Sequence, residues 1–70
     1  MKLYEIPNGT RIKLLEDSQG PPGEPIYPKG MELFLQNVDG MYATCLYNDI
    51  KDRTLRAYPR AWTKAEIRNY

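Results

Sequence analysis

The chain has 70 residues, of which 41% are hydrophobic, and a formal net charge of +1, so we expect one domain spanning residues 1–70. It contains no histidine and one cysteine, which exclude an intrachain disulfide and argue against a metal site, a cofactor site or the usual nucleophile–base pairs of enzymes. No apolar run reaches the roughly 20 residues of a membrane span, and the N-terminus lacks the apolar block of a secretory signal, so we expect a cytoplasmic protein.

The first 15 residues predict two short strands separated by a turn. Residues 1–6 are expected to form an edge strand. Residues 7–9 are Pro-Asn-Gly, a turn sequence in which proline sets φ and Asn-Gly tolerates positive φ. Over residues 10–15, basic side chains alternate with aliphatic ones, which is the period of a half-buried strand. This second strand should therefore carry a basic outer row.

Residues 16–30 contain four of the six prolines and three of the five glycines, which predicts a long loop. Pro22, Pro25 and Pro28 have the spacing of one face of a polyproline II helix, which would suit a ligand of a proline-binding groove. We favour the simpler interpretation that these prolines stiffen the loop by reducing the entropy of the unfolded chain.

The centre of the chain predicts a β-hairpin. Residues 33–38 and 41–47 are both β-prone, and the two residues between them are Asp39 and Gly40. Asp-Gly can occupy the two positive-φ positions of a type I′ turn, whose twist matches that of paired strands. We therefore place the hairpin turn at this dipeptide.

This turn sets the register of the predicted hairpin, with Val38 opposite Met41 and Phe34 opposite Cys45. One face would then carry Val38, Phe34, Met41, Ala43 and Cys45. The other would carry Leu33, Leu35, Leu46 and Tyr42. Because neither face is polar, the apolar side chains of both faces must be shielded from water. We therefore expect a strongly bent sheet in which one strand packs against two cores or contributes to a partner interface.

Beyond the hairpin the sequence predicts a turn, a strand, a second turn and a closing segment. Residues 48–52 are polar turn formers, residues 54–58 are β-prone, and residues 59–62 should form a tight turn. Residues 63–68 alternate as a strand does, although a capping box at their start would also suit a short helix. Because so few residues remain, we favour a strand.

The small net charge hides an asymmetry between the two parts of the chain. Residues 1–50 hold four basic and seven acidic residues, a net charge of −3, whereas residues 51–70 hold six basic and two acidic ones, a net charge of +4. The C-terminal segment is therefore a basic patch in sequence.

Three short patterns lie at the boundaries of these predicted elements. They are Lys29-Gly30 before a strand, Asp39-Gly40-Met41-Tyr42 at the start of a strand, and Pro59-Arg60-Ala61-Trp62 before the last segment. Together they resemble the Src-homology-3 (SH3) family of small β-barrels over about residues 10–68. With the recurrence of β-prone runs, this resemblance implies an all-β fold, a small five-stranded antiparallel barrel with a tight turn before the last segment. Residues 16–29 would stand in place of the family's long RT loop, and residues 48–53 in place of its distal hairpin.

The resemblance also implies a peptide groove. Met41 would take the position of the family's ligand-binding tryptophan, Pro59 that of its groove proline, and Trp62 that of the tyrosine that follows. The family's aromatic strand motif, Ala-Leu-Tyr-Asp-Tyr, is absent from residues 11–17. Two of the aromatic rings on which proline ligands stack in this family are therefore missing, which argues against the family's usual recognition of proline peptides.

We expect a non-catalytic binding module that docks on a protein partner, because exposed aromatic and arginine side chains are enriched at such contacts. The candidate contact residues are Met41, Tyr42, Tyr58, Pro59 and Trp62. The small size, the basic C-terminal segment and the SH3-like pattern suggest a phage or mobile-element protein that acts on a host protein. Glu16 and Asp17 are the candidate acid–base pair of an enzyme. Because adjacent loop carboxylates are usually solvated, an enzyme is the least favoured interpretation.

An alternative is nucleic-acid binding by the basic C-terminal segment. The candidate phosphate contacts are Arg53, Arg56, Arg60, Lys64 and Arg68. Tyr58 or Trp62 would then stack on bases. A third interpretation is that the aromatic residues only complete a small core and that the arginines solvate its surface.

Overall fold

The computed structural model describes residues 1–47 and 55–68, and over these residues the protein is all-β. Its strands are β1 Thr10–Leu14, β2 Ser18–Gln19, β3 Ile26–Tyr27, β4 Glu32–Asp39, β5 Tyr42–Tyr47, β6 Arg56–Ala57 and β7 Ala65–Ile67. A 3₁₀ turn over Leu3–Glu5 precedes them. None of the described segments forms an apolar helix of membrane-spanning length.

Five strands form one antiparallel sheet in the order β6-β5-β4-β1-β7, and β2 pairs with β3 in a separate two-stranded ladder. β1 lies between β4 and β7, so the last described strand pairs with the first. Within the described residues, β6 and β7 are the two edges of the larger sheet. The predicted all-β class and the antiparallel pairing are confirmed.

The core lies on one face of the larger sheet, because buried side chains alternate with more exposed ones along β1, β4 and β5. β1 buries Ile12 and Leu14, and β4 buries Leu33 and Leu35. The other buried apolar positions are Leu3, Ile6, Tyr27, Ala43, Cys45, Ala57, Pro59, Ala61 and Ala65. Burial of this face stabilises the short chain, since removing apolar surface from water contributes about 25 cal/mol per Å².

The predicted hairpin is present as β4 and β5, but its turn lies one residue further along the chain. Asp39 pairs with Tyr42, which leaves Gly40 and Met41 as the two loop residues. Gly40 has a φ of 66°, whereas no non-glycine residue in the described ranges has a positive φ. A type I′ turn needs positive φ at both positions, so the observed signs are those of a type II′ turn with glycine first. The predicted type I′ turn, with Val38 opposite Met41, is therefore wrong.

A β-bulge at Gln36 decides which side chains of β4 face the core. Leu35 pairs with Cys45 and Val38 pairs with Ala43, so β4 has one more residue than β5 between these two pairs. Without the extra residue, the period of two would turn Val38 away from the core. With it, Val38 packs against the core cluster.

On the other side of the bulge the register again differs from the predicted one. Phe34 pairs with Leu46 and not with Cys45. The core face of the hairpin consequently carries Leu33, Leu35, Ala43 and Cys45. This corrects the predicted division of the two faces. Four apolar side chains on one face bury together, which is the physical reason for this register.

Residues 1–6 do not form the predicted edge strand. Leu3–Glu5 form a 3₁₀ turn, and an isolated β-bridge joins Lys2 to Lys64. The side chain of Leu3 is fully buried in the core. A 3₁₀ turn places this one side chain in the core, whereas a strand would require buried and exposed side chains to alternate along the segment.

The segment predicted as a loop, residues 16–30, contains the β2–β3 hairpin. Tyr27 in β3 is buried, and its hydroxyl accepts the backbone N–H of Tyr58 at 3.1 Å. Gly20 lies against the ring of Tyr27, where a Cβ would stand 3.0 Å from the ring atom Cε2. The Tyr27 side chain therefore anchors this hairpin to the rest of the protein.

Several local predictions are confirmed. β1 and the turn before it at residues 7–9 are present, and β6 lies within the predicted strand at residues 54–58. The carbonyl of Arg60 accepts the N–H of Thr63 at 3.0 Å, which closes the predicted turn, and β7 follows it as a strand and not as a helix. The predicted turn at residues 48–52 lies outside the described residues.

Candidate functional site

A cleft of ≈ 550 Å³ lies between the β1–β2 connection, the tip of the β4–β5 hairpin and the turn before β7. The residues that line it are Glu16, Asp17, Ser18, Gln19, Met41, Arg60, Trp62 and Thr63. These come from three segments that are far apart in the sequence. The cleft is therefore formed only when the chain folds.

Two large apolar side chains stand at the cleft with about half of their surface in water. Met41 is 54% exposed and Trp62 is 48% exposed. Met41 is exposed because the turn at the hairpin tip leaves it in the loop, beyond the last strand pair. Both residues were predicted as partner contacts, and the structure places them in one cavity lining.

Arg60 connects the aromatic side chains of this region. The central carbon of its guanidinium lies 4.7 Å from the centroid of the Tyr42 ring and 5.5 Å from that of the Trp62 ring. These distances are those of cation–π contacts, which favour a planar guanidinium lying on a ring face. Arg60 was predicted as a phosphate contact, whereas the structure brings it together with Tyr42 and Trp62.

Hydrogen bonds hold the turn that carries Arg60. The backbone N–H of Arg60 donates to the hydroxyl oxygen of Ser18 at 3.0 Å, and that hydroxyl lies 2.8 Å from the hydroxyl of Thr63. The N–H of Ala61 donates to the carbonyl of Met41 at 2.9 Å. The turn is thus joined both to β2 and to the hairpin tip, which fixes the relative positions of the cleft residues.

Glu16 and Asp17 line the cleft and also bind backbone groups. A carboxylate oxygen of Glu16 accepts the N–H of Lys64 at 2.9 Å, and one of Asp17 accepts the N–H of Lys29 at 2.7 Å. Both are predicted from the sequence as solvated loop residues, whereas the structure places them in the lining of the cleft. Nothing in their sequence neighbourhood indicates it, because the contact depends on how distant segments pack.

The structure places two of the predicted contact residues elsewhere. Pro59 is fully buried, so its ring is not accessible to a partner, and its carbonyl accepts the N–H of Ala43 at 2.7 Å. Tyr58 is half-buried and lies outside the lining of the cleft. Because its ring is buried, Pro59 does not lie where the predicted groove role requires it.

The described candidates for phosphate contacts lie on different elements of the fold. Arg56 lies on the edge strand β6, whereas Arg68 follows β7 at the opposite edge of the ladder. Arg68 forms ion pairs with Glu32 at 3.5 Å and with Glu66 at 3.3 Å. Lys64 is exposed, and Arg53 lies outside the described residues.

Among the described residues, the two titratable groups with shifted pKa values lie in the core and not in the cleft. Burial raises the pKa of the Cys45 thiol to about 12, so this thiol stays protonated and unreactive at neutral pH. Burial likewise raises the pKa of Tyr27, against the opposing effect of the N–H of Tyr58 on its hydroxyl. Among the described residues, no group of three or more Cys, Asp or Glu side chains is placed to hold a metal ion.

No protein-family model, no curated protein and no solved structure matches this chain. The geometry of the cleft is therefore the observation from which a function is inferred.

Proposed function

We propose that this protein is a small non-catalytic binding module that docks on a protein partner through the cleft. The observation that carries the proposal is the half-exposed pair Met41 and Trp62 at one cavity, with Arg60 lying on the rings of Tyr42 and Trp62. Aromatic residues, methionine and arginine are the types enriched at protein interfaces. A partner that covers Met41 and Trp62 would remove apolar surface from water, which favours association.

The proposed fold behind this surface is an SH3-like barrel formed by strong bending of the larger sheet. Three observations support it. The edge strands β6 and β7 are joined by only the seven residues 58–64, and an isolated bridge between Tyr42 and Arg60 fastens this connection to β5. A second bridge, between Lys2 and Lys64, fastens its other end to the N-terminal segment. A bent sheet brings its edges together without a long connection.

The nucleic-acid alternative has weaker support from the same surface. Glu16 and Asp17 line the cleft beside Trp62, and their charge repels a polyanion that would stack a base there. Arg68 is already paired with two carboxylates. A protein partner is therefore the better-supported occupant.

The test is an affinity capture with cleft variants and a matched control. Wild type, Met41→Ala, Trp62→Ala and Ile26→Ala are immobilised and exposed to lysate of the organism that carries the sequence, with and without nuclease. Ile26 is the control because it is an apolar side chain, 62% exposed, on β3 outside the cleft lining. Captured proteins are identified by mass spectrometry.

We expect one protein to be retained by wild type and by Ile26→Ala after nuclease treatment, and to be lost from Met41→Ala and Trp62→Ala. Equal retention by all four proteins would show that the cleft is not the docking surface. Retention that disappears with nuclease would favour the nucleic-acid alternative.

A further inference from the structure

The side chain of Arg60 has hydrogen-bonding capacity that the described residues do not use. Its guanidinium lies on the rings of Tyr42 and Trp62, and no described carboxylate is within ion-pair distance of it. A guanidinium carries five N–H donors, and its cation–π attraction to a ring does not require any of them as a directed hydrogen bond. Because Arg60 lines the cleft, these donors are available to a group that enters it.

The carboxylates of the cleft differ from Arg60 in this respect. Glu16 accepts the N–H of Lys64, and Asp17 accepts the N–H of Lys29. Each therefore has a hydrogen-bond partner inside the protein. Among the described charged residues of the lining, Arg60 is the one whose side chain has no hydrogen-bond or ion-pair partner, which favours an anionic group on the partner.

We propose that Arg60 binds an acidic side chain of the protein partner, so that the cleft recognises an Asp or Glu next to an apolar residue. This inference rests on the proposed function and specifies the partner's chemistry. Met41 and Trp62 would contact the apolar residue while the guanidinium makes two parallel hydrogen bonds to the carboxylate. The rings already restrict Arg60, so less side-chain entropy is lost on binding.

The same surroundings favour a carboxylate over a phosphate group. Glu16 and Asp17 line the cleft with Arg60, and their repulsion grows with the negative charge of the ligand. A phosphate monoester carries almost two negative charges at neutral pH, whereas a carboxylate carries one. The cleft is therefore suited to an acidic peptide and not to a phosphopeptide or a nucleic acid.

Random 12-residue peptides displayed on phage provide the probe. Peptides selected on the wild-type protein should share an Asp or Glu beside an apolar residue. The consensus peptide is then synthesised together with its amide analogue, in which Asn or Gln replaces the acid. Affinities of both are measured for wild type, Arg60→Met, Arg60→Lys and Lys64→Met, the last being a control that removes an exposed cation outside the cleft lining.

We expect the amide analogue to bind wild type and Lys64→Met about tenfold more weakly than the acid, because one charge-assisted pair is lost. Arg60→Met should bind both peptides equally, and Arg60→Lys should discriminate only partly, since an ammonium lacks the planar fork. The NMR signal of the Arg60 Nε–H should shift with the acidic peptide and not with its analogue. This last measurement uses wild type and so does not depend on a variant that folds.

Selected peptides that lack an acid, or that carry a basic residue in its place, would overturn the assignment. So would equal discrimination by wild type and Arg60→Met, or tighter binding of a phosphoserine peptide or of oligothymidylate than of the acidic consensus. If the affinity of the peptides depends on Trp62 but not on the acidic residue, the role of Arg60 is refuted while the proposed function stands. Failure to select any peptide, or selected peptides that bind Met41→Ala and Trp62→Ala as well as wild type, would refute the proposed function and with it this inference.

Discussion

The hydroxyl groups of Ser18 and Thr63, 45 residues apart in sequence, lie 2.8 Å apart in buried positions that border the cleft. The Ser18 hydroxyl also accepts the backbone N–H of Arg60 at 3.0 Å. This pair therefore joins β2 to the turn that carries Arg60 and Trp62. The shape of the cleft depends on it.

Removal of the Ser18 hydroxyl should cost more stability than removal of the Thr63 hydroxyl. Ser18→Ala leaves both the N–H of Arg60 and the hydroxyl of Thr63 without a partner, and we expect a loss of about 2 kcal/mol in the free energy of unfolding. Thr63→Val removes one hydrogen bond and keeps the shape, so about 1 kcal/mol is expected. Urea unfolding of both variants measures this, and a larger loss for Thr63→Val would contradict the network.

Gly20 should not tolerate a methyl group. A Cβ there would stand 3.0 Å from Cε2 of Tyr27 and 3.1 Å from Cβ of Glu24. Gly20→Ala must shift the buried Tyr27 ring, and we expect a loss of about 1–3 kcal/mol by thermal or urea unfolding. In a Tyr27→Leu background the same substitution should cost less. An equal cost in both backgrounds would show that contact with the ring is not the cause.

Gly40 is required for its backbone conformation and not for space. Its φ is 66°, and no atom lies within 4 Å of a Cβ built there. We expect Gly40→Val to lose more than about 1 kcal/mol, because a β-branched residue tolerates positive φ poorly. The matched control is D-alanine at position 40 in a chemically synthesised chain, which should retain the stability of wild type since D-residues favour positive φ. A loss of stability with D-alanine equal to that with valine would point to a steric cause.

The buried thiol of Cys45 should make stability fall at alkaline pH. Its pKa rises from the ordinary 9.0 to about 12 on folding, so between these values the unfolded chain releases a proton that the folded chain keeps. The free energy of unfolding is therefore unaffected by this group below pH 9 and decreases above it, by up to about 1.4 kcal/mol per pH unit. Cys45→Ala should show a shallower decline across the same pH range. Parallel declines in the two proteins would show that the thiol is not the responsible group.

Salt dependence distinguishes the two candidate functions. If the basic segment bound nucleic acid, the log–log salt slope would fall by roughly 0.7–0.9 for each phosphate contact removed. We expect only weak binding of oligothymidylate at about 0.15 M salt, because a net charge of +1 gives little long-range attraction. Arg56→Ala/Arg60→Ala is compared with Lys29→Ala, a basic residue outside the C-terminal segment. Tight binding that only the double variant loses would favour the nucleic-acid alternative.

The parts of the fold that depend on local chemistry could be predicted from the sequence. Alternating side chains indicated β1, and turn formers indicated the turns at residues 7–9 and 59–62. Gly40 indicated the hairpin, because a two-residue turn needs a residue that accepts positive φ. These sequence patterns span two to five residues, so they can be recognised without knowledge of distant contacts. Met41 and Trp62 were predicted as contact residues, and the structure places both at the cleft.

The register of the hairpin, the burial of Pro59 and the composition of the cleft were decided only by the tertiary structure. The bulge at Gln36 places Val38 against the core, and this choice depends on side chains from other strands. Arg60 appeared in the sequence as one of several basic residues, yet its position on the rings of Tyr42 and Trp62 arises from the packing of a turn against a hairpin. Local sequence therefore indicated β1, the central hairpin and the turns at residues 7–9 and 59–62. Burial and long-range hydrogen bonds determined the register and which side chains meet, because those free energies depend on contacts between distant segments.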